Sequence, residues 1–95
     1  MLFIAHCTDK PGHLKVRLDT RQDHLAFLKA KGDALKLAGP TTEADEETPN
    51  GSLLIFEDSD LAAAKAWAAG DPYGTAGLFD SVIVKPWKHA IGDGL

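Results

Sequence analysis

Three segments of this chain carry unbroken apolar runs: Leu2, Phe3 and Ile4; Leu53, Leu54, Ile55 and Phe56; and Val82, Ile83 and Val84. Side chains alternate between faces along a strand, so each run presents apolar groups on both faces of a sheet. Helical character is limited to two stretches, the leucines at 14, 18, 25 and 28 and the alanine-rich Leu61 to Ala69. Two helices cover only one face of such a sheet. The other face needs a second apolar surface, and a two-fold homodimer packed sheet on sheet is the expected solution, with the long loop and the tail as the alternative cover.

Local signals set the order of elements. Leu2 to Cys7 reads as a strand closed by Asp9, Lys10, Pro11 and Gly12. A helical segment runs from Leu14 to Lys31 and stops at Gly32, either as one helix or as two pieces divided at Asp19 and Thr20. Leu35 and Leu37 suggest a short second strand that turns at Gly39 and Pro40. An acidic loop follows, with turn chemistry at Thr48, Pro49, Asn50 and Gly51. Ser52 to Glu57 is the third strand. Asp58, Ser59 and Asp60 offer N-cap oxygens to the second helix, which ends at Gly70. Leu78 to Lys85 is the fourth strand, and Pro86 confines the chain beyond it to an edge or an exit. The order βαββαβ is the ferredoxin-like α+β arrangement, an antiparallel sheet with two helices on one face. Ninety-five residues suit a single domain over residues 1–95.

Charge narrows the partners. The net charge of -4 belongs to residues 41–50, where Glu43, Asp45, Glu46 and Glu47 meet no base; elsewhere acids and bases balance at ten each. Without a basic surplus, neither nucleic acid nor an anionic membrane is an expected partner. No stretch approaches the roughly 20 apolar residues of a membrane-spanning helix. A lone Cys7 cannot form an internal disulfide, which favours a reducing cytoplasm.

Several residues are candidates for chemistry. Arg17, Arg21, His24 and Leu28 are spaced by four, three and four, so they lie on or beside the leucine stripe if the helix is continuous. One reading is a pocket for a small polar or anionic molecule with His24 as acid/base. The other is that the arginines reach solvent and His24 is a satisfied boundary histidine. Asp71, just beyond the second helix, sits where the helix dipole disfavours a carboxylate, so it faces water, serves the turn before Pro72, or has a cationic partner such as His24. Spacing alone does not bring positions 24 and 71 together. Cys7 is a weak candidate nucleophile and more naturally a small core residue. His6 and Cys7 point to opposite faces of a strand and His13 and His89 lack ligand spacing, so no metal is expected. The glycines at 70, 74 and 77 read as turn residues, Trp67 as core, and Tyr73 and Trp87 as pocket or interface residues.

One pattern joins both halves of the chain. Leu14, Arg17, Leu18, Arg21, His24, Leu25 and Leu28, then Ala38, Gly39 and Pro40, Gly51 and Ser52, and finally Asp71, Pro72, Tyr73, Ala76 and Gly77 with Val82, Val84, Lys85 and Pro86 resemble the YCII-related family. The Asp71, Pro72, Tyr73 element with Lys85 and Pro86 is the most specific part. The resemblance implies a dimeric α+β barrel and a site centred on His24 and Asp71, with Arg17, Arg21 and Tyr73 beside it. It implies acid/base chemistry of isomerase, lyase or dehydrochlorinase type on a small organic ligand, with no cofactor. A non-catalytic ligand-binding or regulatory module on the same barrel is the competing expectation.

Overall fold

The computed structural model describes residues 1–94. Its elements are, in chain order, β1 (Leu2–Asp9), α1 (Leu14–Ala30), β2 (Leu35–Thr42), β3 (Pro49–Glu57), α2 (Leu61–Ala69), α3 (Pro72–Thr75) and β4 (Phe79–Trp87). The four strands form one antiparallel sheet in the order β2-β3-β1-β4. This is the ferredoxin-like α+β architecture read from the sequence, with one short α-helix more and a 3-10 turn at Gly32–Ala34.

α1 is continuous through Asp19 and Thr20 and spans 17 residues. It ends where Gly32 takes φ +64, a left-handed conformation that a side chain would strain. α2 begins as expected on Asp60, whose carboxylate accepts the Ala63 amide at 2.8 Å. Phe3, Ala5, Leu54 and Phe56 from one face of the sheet pack with Leu28 of α1 and with Ala64 and Ala68 of α2. Phe3 and Phe56 are fully buried, so truncating either to alanine should cost about 3–5 kcal/mol. Trp67 is half-buried against this core, its ring 4.4 Å from that of Phe56.

Three expectations are corrected. Gly39 and Pro40 do not turn the chain: β2 continues to Thr42, with Pro40 opposite Ser52. β2 is an edge strand, so the missing proline N–H need not break a ladder on its open side. Of the turn predicted at 48–51, Pro49, Asn50 and Gly51 become strand, and the reversal tightens into the acidic loop, where Asp45 accepts the amides of Glu47 and Thr48 at 2.9 Å. Gly51 can join the ladder because it has no Cβ; one would collide with the Cys7 carbonyl and the Thr41 hydroxyl. Finally, the leucine stripe of α1 is not its buried line. Leu14, Leu18 and Leu25 are exposed, and the side chains that face inward are Arg17, His24 and Leu28.

The opposite sheet face is apolar and open within one chain. Leu37, Leu53 and Ile83 are 50%, 38% and 48% exposed on it, and register places Ile55 beside Leu37, and His6 between Leu53 and Ile83.

Candidate active site

The site lies where the inward line of α1 meets α3. The four-residue helix α3 was not anticipated, and it changes the surroundings of Asp71. That residue does follow α2, but it is also the N-cap of α3, and its Oδ1 accepts the Tyr73 amide at 3.0 Å. The amides of an incoming helix offset the unfavourable end of the outgoing one. The same Oδ1 accepts a hydrogen bond from His24 Nδ1 at 2.9 Å. Asp71 is 1% exposed and His24 is 6% exposed.

This contact defines the imidazole's roles. With Nδ1–H donating to the carboxylate, Nε2 is the nitrogen that can exchange a proton with another molecule. Asp71 Oδ2 is buried with no partner among the described residues. Such an acceptor typically costs about 1–3 kcal/mol and concentrates charge beside the imidazole.

A second buried pair sits further along α1. Arg17 donates from Nε and Nη2 to the two carboxylate oxygens of Asp9, at 2.7 and 2.9 Å, and from Nη2 to Ser52 Oγ at 2.9 Å. Burial opposes the Arg17 charge, but the hydrogen bonds and charge of Asp9 outweigh it and raise the guanidinium above its ordinary pKa. Tyr73 joins the two pairs. Its ring stacks on the His24 imidazole at 3.9 Å, and the Arg17 guanidinium carbon lies 4.5 Å over it. Arg17 and His24 are seven residues apart, about 10.5 Å along a helix, and an imidazole at stacking distance leaves no room for a guanidinium on the same face. The phenol ring is therefore sandwiched between them. Burial raises the Tyr73 phenol above its ordinary pKa, against the pull of Arg17 and Arg21.

His24, Tyr73, Arg17 and Ser52 border a cavity of about 280 Å³ whose other walls include Leu18, Leu25, Leu28, Ala38, Pro40 and Pro49, with Asp71 and Asp9 behind them. Larger hollows lie between α2 and β4 and beside the acidic loop, but His24 borders neither. Arg21 also borders the cavity and has no acidic partner among the described residues, so it is the uncompensated cation there. Among the described residues no three of His, Cys, Asp and Glu converge as metal ligands, and no helix is long and apolar enough to cross a membrane.

The five site residues singled out from the sequence thus come together, but with altered parts. Arg17 is committed to Asp9, whereas Arg21 borders the cavity with no acidic partner among the described residues. Cys7 is buried, and burial followed by the charge of Asp71 pushes its thiol up to about 12, which removes it as a nucleophile near neutrality. Asp9, read as a turn residue, and Ser52, read as the start of a strand and as part of the family pattern, were given no part in the site. A signal existed for Ser52: it is the polar member of the alternating row Ser52, Leu54, Phe56 that faces the core.

A four-stranded antiparallel sheet backed by helices on one face, with a buried histidine and aspartate beside an open pocket, places the chain in the dimeric α+β barrel fold class. The chain belongs to the YCII-related domain family, whose sequence model matches residues 1–88. It is 42% identical over 95 residues to an uncharacterised protein of Haemophilus influenzae and 41% identical to protein YciI of Escherichia coli, in each case over 93% of this chain and 97% of the relative. Among solved structures it resembles 5-chloro-2-hydroxyhydroquinone dehydrochlorinase from Burkholderia phenoliruptrix, in complex with 2,5-dihydroxybenzoquinone. The TM-score is 0.88 at 37% identity, covering 95% of this chain and 96% of that one. The cofactor-independent oxygenase SnoaB of Streptomyces nogalater shares the fold, with a TM-score of 0.56 at 15% identity over 97% and 96% of the two chains.

Proposed function

We propose that this chain is an acid/base enzyme acting on a small, planar, oxygenated organic molecule, and that it works as a homodimer. His24 Nε2 takes a proton from the bound molecule, and Asp71 orients the imidazole and stabilises its protonated form. The electron pair left behind is delocalised over the substrate, which then isomerises by reprotonation or expels a leaving group with its electrons. Arg21 supplies the single positive charge that favours an anionic ligand. The reading rests on one observation above others, the 2.9 Å contact between His24 Nδ1 and Asp71 Oδ1, buried beside an open cavity. The 37% identical dehydrochlorinase, bound to a dihydroxybenzoquinone, supports the size and chemistry of the ligand.

The homodimer is supported by the open apolar sheet face around Leu37, Leu53 and Ile83. A reducing, cytoplasmic setting fits the one buried thiol.

A thermal-shift screen of hydroxylated quinones, phenols and aromatic acids, followed by turnover assays on each binder, tests the catalytic reading. The wild type should convert a binder, and His24→Ala should still bind it without conversion. Ligands that bind the wild type and leave unchanged would make the protein a binding module instead.

A further inference from the structure

Ser52 belongs to the core-facing row of β3 and is 2% exposed, between Cys7 on β1 and Pro40 on β2. A hydroxyl buried among apolar neighbours is unfavourable unless its hydrogen bonds are made. One is made: Ser52 Oγ accepts from Arg17 Nη2 at 2.9 Å. A guanidinium has only donors, so Ser52 cannot give its own hydrogen there. Among the described residues no other group takes that hydrogen. Ser52 borders the same cavity as His24 and Tyr73, so a molecule bound there is the acceptor its O–H lacks within the protein.

The acceptor side of the hydroxyl is unusually strong. Arg17 is fixed at two points by Asp9, so a charge-assisted donor is held on Ser52 Oγ. Hydrogen bonds in a chain polarise one another, so a hydroxyl that accepts from a cation donates more strongly. A pre-aimed donor of this kind stabilises charge that develops on an oxygen during reaction.

From these contacts we infer that Ser52 is a catalytic residue, whose hydroxyl, polarised by the Asp9 and Arg17 pair, donates a hydrogen bond to the ring oxygen that becomes negative as His24 removes a proton. The inference rests on the acid/base reading of the site. The proton balance is simple: a C–H or O–H bond of the substrate breaks, an N–H bond forms at His24 Nε2, and the negative charge moves to the oxygen that Ser52 holds. Arg17 and Asp9 are then positioning residues, because they act through Ser52 and Tyr73.

The probe is 2,5-dihydroxybenzoquinone, with its acidic hydroxyl and carbonyl oxygens. Its affinity and the ionisation midpoint of its bound form, followed by absorbance across pH, are compared in wild type, Ser52→Ala, Ser52→Thr and Ser52→Cys. Loss of a hydrogen bond to a charged oxygen should weaken binding about tenfold in Ser52→Ala. The bound ring's ionisation midpoint should also rise, a change that a purely structural role would not produce. Ser52→Thr keeps the donor and should stay within about threefold of wild type, and Ser52→Cys, with a weak donor, should reproduce the loss even if the alanine variant fails to fold. Wild-type affinity and an unmoved midpoint in Ser52→Ala and Ser52→Cys would overturn the role of Ser52 and leave the His24 chemistry standing. A wild type that does not bind the probe would overturn both.

Discussion

The imidazole of His24 lies 3.9 Å from the ring of Tyr73, tilted by only 16°. The stack holds the imidazole plane while Asp71 holds its Nδ1. Tyr73→Phe keeps the ring and should leave stability within about 1 kcal/mol of wild type, whereas Tyr73→Leu should lose about 0.5–1.5 kcal/mol of ring interaction beyond its buried area. Urea denaturation of the two variants measures the difference. Equal stability of the two would mean that the stack does not hold the site.

Asp71→Asn replaces charge at almost constant shape. The amide oxygen can still accept from the Tyr73 amide and from His24 Nδ1, so the fold should persist. Without the carboxylate the imidazolium loses its counter-charge, and turnover should fall by about 10²-fold or more while ligand affinity changes little. Kinetics on a substrate found by screening would decide this, and full activity in the variant would remove Asp71 from the chemistry.

Breaking the pair of Asp9 and Arg17 should be far more damaging than replacing it. Both side chains are at most 7% exposed. Asp9→Ala leaves the guanidinium buried without its carboxylate and should cost about 3–5 kcal/mol. Arg17→Met combined with Asp9→Leu should be closer to wild type than the sum of the single changes. A double-mutant cycle by chemical denaturation measures this coupling, and strict additivity would contradict it.

Stability should decline on the alkaline side. Burial, and then the charge of Asp71, lifts the Cys7 thiol from an ordinary 9.0 to about 12. In the unfolded chain the thiol ionises at the lower value, so between the two the folded state holds the extra proton and stability falls as pH rises. The raised Tyr73 phenol acts in the same direction above the ordinary phenol range. Urea titrations at about pH 8 and about pH 11 should show a smaller alkaline loss in Cys7→Ala than in wild type. Parallel losses in the two proteins would show that Cys7 is not the group responsible.

The apolar sheet face predicts the assembly. Leu53→Lys and Ile83→Asp place charge on an open surface of one chain, so the fold should survive while the dimer dissociates. Sedimentation velocity reads the outcome directly. A wild-type chain that stays monomeric at every concentration would rule out the sheet-to-sheet dimer.

Much of this was legible locally. The two-faced apolar runs at 2–4, 53–56 and 82–84, the Asp60 cap and the stop at Gly32 each depend on neighbours close in sequence, and each corresponds to an observed element. Where the reading failed, a distant partner decided the result. Gly39 and Pro40 look like a turn until β3 pairs with them and extends the strand. The leucines of α1 look like its core line because periodicity reports a stripe and not what lies against it. Arg17 and His24 displace them inward because Asp9 and Asp71 supply the partners that make burial of polar groups tolerable.

The sequence by itself determined the order of the four strands and the two longer helices, the apolar character of both sheet faces, and the confinement of the net charge to residues 41–50, since all three depend on residue type and local spacing. The family pattern named His24, Asp71, Arg17, Arg21 and Tyr73, but only the tertiary structure decided how they pair. His24 and Asp71 are separated by 47 residues, and they meet because α3 turns Asp71 inward against the polar line of α1. Spacing along a chain gives no distance across a chain reversal, so which acid meets the histidine, which arginine is paired and which serine reaches the cavity wall are settled by packing.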